Sequence, residues 1–191
     1  LNTQNFNLGK LLGDTLGLKR LSAKIDVRAR QAEKGALIAQ LQGEIASIQY
    51  GKDTYRNIPF DAYYNASEMG ASANLNSPVG KVYAKASMTQ ARVPDINLRL
   101  KVDTLHIDRF YKDENWVNPR LSLVLEGSMK GLDIDQMEGK ALIDSLNLYD
   151  ANFNFKPGKF TLEMGKRTEN DKFIKLTSSL LTANIDGQYK F

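Results

Sequence analysis

The amino-acid sequence predicts an all-β fold made of half-buried antiparallel strands. Apolar and polar side chains alternate along many segments, such as "DINLRLKVD" at 95–103, and a period of two is typical of a strand with one buried face. Segments rich in Gly, Pro, Asn and Asp interrupt these runs at short, regular intervals, as in all-β architectures. Helical patterns are scarce. Together these observations favour a sheet that supplies most of the structure itself.

Two short helices are nevertheless predicted. The first covers residues 5–17, with Asn5 or Asn7 as its N-cap and Gly17 at its end. Its apolar stripe consists of Leu8, Leu11, Leu12 and Leu16. The second is a turn of helix within residues 107–116. Neither is long enough to cover a large sheet, so we expect both to be caps.

The clearest alternation marks four strands, at 95–103, 121–127, 159–166 and 183–191. Each presents a row of apolar side chains on one face. The members of this predicted apolar face are Ile96, Leu98, Leu100, Val102, Leu121, Leu123, Leu125, Phe160, Leu162, Met164, Ile185, Tyr189 and Phe191. Turns are predicted where Gly, Pro, Asn and Asp cluster, at 50–55, 76–80, 156–159 and 167–172.

The composition argues against an enzyme, a metal protein and a nucleic-acid binder. The 191 residues include no Cys and one His, His106, so neither a thiolate site nor a histidine cluster is expected. No G-x-S-x-G, P-loop or nucleotide-binding glycine motif is present. No stripe of alternating basic and aromatic residues suits a nucleic acid. We therefore expect no catalytic residue, no metal and no cofactor.

The net charge of +4 is concentrated near the start of the chain. Residues 1–34 hold seven cations and three anions, whereas the remaining 157 residues hold 19 of each. A basic end beside a neutral body favours an anionic lipid or an acidic partner. A solvated face whose Lys and Arg stems cover apolar surface gives the same pattern.

The segment "GLDIDQMEGKALI" at 131–143 poses a choice between a cation loop and a strand that carries acids. An EF-hand-type loop needs oxygen ligands at its first, third and fifth positions, a Gly at the sixth and a Glu at the twelfth. Counted from Asp133, the fifth position is Met137 and the sixth is Glu138. We therefore predict an ordinary strand from which Asp133 and Asp135 point outward.

An internal repeat is predicted, with halves at 1–100 and 101–191. Leu21-Ser22 aligns with Leu121-Ser122 at an offset of 100 residues. Three further pairs align at offsets of 96 or 98, namely Gly43 with Gly139, Tyr50 with Leu148, and Tyr55 with Phe153.

Five segments follow one another in an informative order. They are "FNLGKLL" at 6–12, "SIQYGKDTYRNI" at 47–58, "LHIDRFY" at 105–111, "GLDIDQMEGKALIDSLNLYD" at 131–150 and "IKLTSSLLTANIDGQYKF" at 174–191. This order resembles the AsmA/TamB-like family of large bacterial envelope proteins, and the resemblance extends from Phe6 to Phe191. The sequence departs from the family's pattern at one point: "ARVPDINLRL" at 91–100 follows "SPVGKVYAKASM" at 77–88, which has few acids where a more acidic turn is expected.

The resemblance implies an elongated, curved antiparallel sheet, folded as a β-taco or half-open sandwich, in a single domain segment (1–191) of a longer protein. The apolar face would then be a groove that shields or conducts lipid acyl chains between the inner and outer membranes. The implied location is the periplasm, in a protein anchored in the inner membrane by a segment outside this chain. The implied partners are phospholipid or another acyl-chain lipid, outer-membrane assembly proteins and neighbouring β-segments of the same longer chain.

Two alternatives stay open from the residues alone. A closed sandwich and an open groove predict the same alternation, because each buries one face of every strand. The alternative function is a structural or docking module of an outer-membrane assembly machine, which binds by adding a strand at a free sheet edge. The candidate edge is "NIDGQYKF" at 184–191.

Overall fold

The computed structural model describes residues 2–7, 10, 18–32, 35–51, 53–110, 114–133, 137–168 and 171–188. The chain divides into two compact units, a first unit of Leu1–Pro78 and a second unit of Val79–Phe191. Twelve β-strands supply most of the described structure. The prediction of an all-β antiparallel fold is confirmed, whereas the β-taco or half-open sandwich stays a prediction.

The described residues of the first unit form five strands, each antiparallel to the next in sequence. They are β1 (Asn2–Asn7), β2 (Leu18–Gln31), β3 (Leu37–Tyr50), β4 (Asp53–Tyr64) and β5 (Glu68–Ser77). Their order in the sheet follows their order in the chain, as expected for strands joined by short hairpin connections.

The described part of the second unit has the same pattern, with seven strands. They are β6 (Gly80–Thr89), β7 (Asp95–His106), β8 (Arg120–Lys130), β9 (Glu138–Asp150), β10 (Phe153–Lys166), β11 (Lys172–Ser178) and β12 (Thr182–Gly187). Each again pairs antiparallel with the next. A short 3-10 helix, Ile107–Arg109, follows β7.

Each unit is a single layer of strands. Among the described residues of each unit, the extensive contacts between strands all join neighbours in the ladder. Correspondingly few hydrophobic side chains are buried among the described residues: Ala23, Tyr55, Ile58 and Val102. Neither unit, taken by itself, forms a closed sandwich in the part of the chain that the structure describes, because no second layer packs on its sheet.

The ladders show that β2 to β4 of the first unit recur as β8 to β10 of the second at a constant offset of 100 residues. In the first unit Leu21 pairs with Ile48, and Ile48 pairs with Tyr55. The same three positions in the second unit are Leu121, Leu148 and Phe155. This agrees with the predicted match of Leu21-Ser22 to Leu121-Ser122. The division into halves at residue 100 stays a prediction.

The constant offset corrects the other three predicted matches. Tyr55 corresponds to Phe155, two residues beyond the predicted Phe153. Tyr50, opposite Asp53, corresponds to Asp150, opposite Phe153. Gly43 corresponds to Ile143, and Gly139 lies four residues earlier on β9. The shorter offsets followed residue similarity, whereas the hydrogen-bonded register fixes the true correspondence.

Both units also contain the same β-bulge at the end of β1 and β7. In the first unit two residues of β1 face Ser22, and the amide of Asn5 donates to the Ser22 hydroxyl at 3.0 Å. In the second unit two residues of β7 face Ser122, and the amide of Thr104 donates to the Ser122 hydroxyl at 3.1 Å. Asn5 and Thr104 both have φ near +55°. The bulge bends its strand, and the serine satisfies an amide that the ladder leaves unpaired.

The first predicted helix is partly wrong. Residues 5–7 belong to β1, in which Phe6 and Asn7 form the ladder with Leu21 and Arg20. Asn7 does accept a hydrogen bond from the Lys10 amide at 3.0 Å, which is the bond that an N-cap makes. Leu8, Leu11, Leu12, Leu16 and Gly17 lie outside the described residues.

The turn of helix predicted within 107–116 is present, in its described part, as the 3-10 turn at Ile107–Arg109. Two further local predictions are wrong, one of them in part. The turn predicted at 156–159 is part of β10, where Gly158 takes a positive φ of 83° in an irregular stretch of the ladder. Of the strand predicted over 131–143, residues 138–143 do lie in β9, whereas Gly131, Leu132 and Asp133 connect β8 to β9 and are not a strand. Asp135 lies outside the described residues.

Among the described residues, no helix has the length and apolar character that crossing a membrane requires.

Candidate functional site

The strands of the second unit align their apolar residues into rows that cross the sheet. Residues directly opposite one another in an antiparallel ladder lie on the same face. One row consists of Met88, Ile96, Met129, Gly139, Met164, Ile174 and Ile185. The next consists of Ala86, Leu98, Gly127, Ala141, Leu162, Leu176 and Ala183. A third consists of Ala84, Leu100, Leu125, Ile143 and Phe160. We call this surface the apolar face of the second unit.

The structure brings the described members of the predicted set onto this one face. Ile96, Leu98, Leu100, Leu125, Phe160, Leu162, Met164 and Ile185 lie in the three rows. Beyond the third row, Val102 of β7 pairs with Leu123 of β8. Leu121 of β8 then pairs with Leu105 of β7 and Leu148 of β9. Tyr189 and Phe191 lie outside the described residues.

Exposure changes across this face. Val102 is 7% exposed, because it is surrounded by its neighbours in the ladder. Leu162 is 38% exposed and Ile185 is 58% exposed, towards β12. Most other members are half-buried. Because no second layer of the described unit packs on the rows, these side chains shield one another only sideways and leave an apolar surface open.

Two glycines shape this face in different ways. A Cβ on Gly139 would come within 2.7 Å of the Met129 Cα on the neighbouring strand, so the two backbones can approach only without a side chain. A Cβ on Gly127 would meet its nearest atoms at 3.9 to 4.0 Å, which is ordinary contact. Gly127 therefore leaves a gap between Leu98 and Ala141 in the middle of its row.

The opposite face of the second unit is charged. Arg99 lies 3.4 Å from Glu126, and Lys140 lies 2.8 Å from Glu163. The Lys140 ammonium beside Glu163 lowers the pKa of that carboxyl from its ordinary value. A shallow concavity of about 500 Å³, with Lys85 among its lining residues, lies over these strands. The contrast between the faces makes the second unit an amphipathic sheet.

The residues considered for chemistry are dispersed. His106 ends β7, with its Nδ1 3.9 Å from a carboxylate oxygen of Asp108. Asp133 is exposed in the connection between β8 and β9, and Glu138 opens β9. Among the described residues, no three His, Cys, Asp or Glu side chains are grouped so that they could hold a metal ion.

The sequence analysis missed the corresponding face of the first unit. At the offset of 100, Leu121, Leu123, Leu125, Phe160 and Leu162 correspond to Leu21, Ala23, Ile25, Phe60 and Ala62. Ile25 faces Gly43, which faces Phe60, so these residues also share one side of their sheet. Alanine and glycine weaken the alternation here. Applying the repeat offset to the stronger strands would have located them.

No family model, curated protein or solved structure matches the chain. The resemblance to the AsmA/TamB-like family therefore stays a prediction from the sequence, and the geometry of the two faces is the basis for any functional proposal.

Proposed function

We propose that the chain is a periplasmic envelope-biogenesis segment whose apolar face shields or conducts lipid acyl chains between the inner and outer membranes. The observation that supports this is the apolar face of the second unit, which has three rows of hydrophobic side chains and, in the described part of the unit, no covering layer. An apolar surface of this extent on a single sheet calls for a hydrophobic occupant, because water is an unfavourable neighbour for it.

The shape of the rows suits an acyl chain better than a folded protein partner. They cross from strand to strand, perpendicular to the strand direction, so they form a continuous apolar path through Leu100, Leu125 and Phe160. An acyl chain gains free energy from each buried CH₂, at about 0.8 kcal/mol, without needing polar partners. The absence of acids and bases from these rows matches that requirement.

The test is site-specific photocrosslinking in bacterial cells, with benzoylphenylalanine in place of single residues of the protein. Leu100 on the apolar face and Lys101, the next residue of β7 on the opposite face, form a matched pair. Crosslinks from Leu100 to acyl-chain lipid, and none from Lys101, are the expected result. Equal crosslinking at the two positions, or none at Leu100, would contradict the proposal.

A charged substitution provides a second test of the same face. Leu123→Glu should leave the protein folded, because the face is open to water within its unit, while lipid crosslinking falls. Val124→Glu places the same charge on the next residue of β8, opposite Lys101, and should leave lipid crosslinking unchanged. Loss of folding in Leu123→Glu, together with no lipid crosslink in the parent protein, would instead indicate a closed core.

The alternative function is docking by strand addition, and one observation favours it. Among the described residues β12 pairs with β11 alone, so its other edge offers backbone groups to a partner strand. Amide exchange over Thr182–Gly187 tests this, measured with and without the outer-membrane assembly proteins. Slower exchange only in their presence would support docking, and identical exchange would count against it.

A further inference from the structure

A group of cations in the first unit forms a second surface, separate from the apolar face and independent of the proposed function. Asn7, Lys10, Lys19, Arg20 and Gln49 line a concavity of about 510 Å³. Among the residues that the structure describes, no acidic side chain lines it. Among the described residues, none of the three cations lies within 4.0 Å of a carboxylate. The concavity is therefore strongly positive.

A β-bulge explains how two consecutive cations come to line one concavity. Successive residues of a regular strand point to opposite faces of the sheet. Between the pairs Leu18–Tyr50 and Leu21–Ile48, however, β2 has two residues, Lys19 and Arg20, opposite the single residue Gln49 of β3. Such a bulge can turn a side chain from its regular direction. Both Lys19 and Arg20 line the concavity as a result.

The residues at the other side of the concavity, Asn7 and Lys10, are held in position by backbone pairing and a hydrogen bond. Asn7 faces Arg20 across the β1–β2 ladder. The Asn7 side-chain oxygen accepts the Lys10 amide at 3.0 Å, which holds the backbone of Lys10 next to the end of β1. The concavity is therefore lined by a cation close after β1, Lys10, and by two cations of β2, Lys19 and Arg20. Like charges at such close quarters repel one another, so an anion placed between them would relieve an unfavourable arrangement.

The second unit shows that the fold does not need these cations. At the offset of 100, Arg120 occupies the position of Arg20, but Pro119 and Tyr149 replace Lys19 and Gln49. His106 faces Arg120, and it lies beside an acid, Asp108. The first unit thus has two consecutive cations at this ladder position, and the second unit has only one.

We propose that the concavity of Lys10, Lys19 and Arg20 binds a phosphate-class oxyanion. Arg20 offers the planar guanidinium that matches two phosphate oxygens, and the two lysines add compact point charges. The side-chain amides of Asn7 and Gln49 add neutral N–H donors at the rim. The phosphate can belong to a membrane lipid headgroup or be free in solution, since both present the same charged oxygens.

The experiment has two arms, each applied to the whole chain and to two double variants. Vesicles of phosphatidylcholine with and without phosphatidylglycerol test the headgroup, and inorganic phosphate followed by NMR shifts tests the free ion. The site variant is Lys19→Gln/Arg20→Gln. The matched control is Arg28→Gln/Arg30→Gln, which removes the same charge from the same strand. Arg28 and Arg30 line a different concavity.

Binding to the phosphatidylglycerol vesicles should weaken about 30-fold in the site variant and much less in the control. Inorganic phosphate should shift the signals of Lys10, Arg20 and Gln49 in the parent and not in the site variant. If the phosphatidylglycerol vesicles bind, the site is assigned to a lipid headgroup, whether or not inorganic phosphate also binds. If only inorganic phosphate binds, the site is assigned to a free ion. Binding to neither probe, or equal losses in the two double variants, would overturn the proposal. Far-UV circular dichroism verifies that the variants are folded.

Discussion

The two units share a backbone ladder and differ in the side chains that they place on it. Leu21, Ser22 and Phe60 of the first unit recur unchanged as Leu121, Ser122 and Phe160. Ala23, Ile25 and Ala62 recur as the larger or equal Leu123, Leu125 and Leu162. The shared register and the bulge serine are therefore features of the ladder that the two units have in common. The side chains that differ can serve each unit's own function.

The charged faces differ in the same way. Every ion pair between described residues lies in the second unit, for example Arg99 with Glu126 and Lys159 with Asp144. The first unit, in its described part, leaves cations such as Lys19 and Arg20 without carboxylate neighbours. The comparison assigns an apolar surface with a neutralised reverse face to the second unit, and an uncompensated basic site to the first.

The largest expected effect tests a position where the two units differ sharply in burial. Asp150 is 1% exposed and accepts hydrogen bonds from the amides of Val117 and Asn152, the latter at 2.9 Å. Its counterpart Tyr50 is 42% exposed. Asp150→Ala should lower the free energy of unfolding by about 3 kcal/mol, because two amides lose a charged acceptor. Tyr50→Ala should cost less than about 1 kcal/mol. Urea denaturation measures both, and equal costs would show that the burial difference does not affect stability.

Close backbone contact provides the next largest effect. Gly43 and Gly139 lie at different positions of the ladder, yet a Cβ on either would meet a neighbouring strand or side chain. The closest approaches include 2.8 Å to the Phe60 ring for Gly43 and 2.7 Å to the Met129 Cα for Gly139. Gly43→Ala and Gly139→Ala should each cost about 2 kcal/mol through overpacking.

Gly127→Ala is the control for this pair, since its Cβ would find ordinary contacts at 3.9 Å and beyond. It should change the free energy of unfolding by no more than about 0.5 kcal/mol, so its melting temperature should stay close to that of the parent. If Gly127→Ala lowered the stability as much as Gly139→Ala, close contact between strands would not account for the stability lost on replacing Gly139.

The shared bulge predicts a smaller effect that is equal in the two units. Ser22→Ala removes the acceptor for the Asn5 amide, and Ser122→Ala removes the acceptor for the Thr104 amide. Each should cost about 0.5–1 kcal/mol, as for a single neutral hydrogen bond. Amide exchange at Asn5 and Thr104 should accelerate only in the matching variant. Unequal costs would mean that the two bulges, although alike in geometry, do not have the same role.

The sequence predicted the strands best where large apolar and polar residues alternate. The segment 95–103 lies within β7, and its four apolar residues share one face as expected. The prediction failed where Gly and Pro are part of a strand. Pro157 and Gly158 have the composition of a turn, but β10 pairs with β9 on both sides of them and absorbs them as an irregularity. Local composition does not report the hydrogen bonds that the neighbouring strands make with a segment, and here those bonds decide its conformation.

The candidate site was predictable only in part for the same reason. The apolar face of the second unit follows from alternation, because Leu, Ile and Phe dominate it. The cation concavity does not, since alternation would place Lys19 and Arg20 on opposite faces. Only the extra residue opposite Gln49 reveals that both line one concavity, and a bulge of this kind depends on pairing with a distant strand.

The smallest expected effect concerns one pair of positions on the polar faces. Asp144 lies 3.3 Å from Lys159 in the second unit, where the first unit pairs Glu44 with Pro59. The Lys159 ammonium, followed by the Ser145 amide, holds the pKa of Asp144 below its ordinary value of 3.8. Lys159→Met should therefore raise the pKa of Asp144 towards that value, which a carbon-detected NMR titration of the carboxyl would measure.

The sign of the linked stability change follows from the direction of this shift. Because the carboxyl pKa is lower in the folded state, the pair stabilises the protein above the unfolded pKa, and the stabilisation is lost as the pH falls through the folded pKa. The difference in melting temperature between the parent and Lys159→Met should thus be present at neutral pH and vanish in acid below the folded pKa of Asp144. It should also shrink at high salt, because both side chains are exposed to solvent. A difference that persisted in acid would mean that the ion pair is not its source, and that the charge difference between the units at this position does not stabilise the fold.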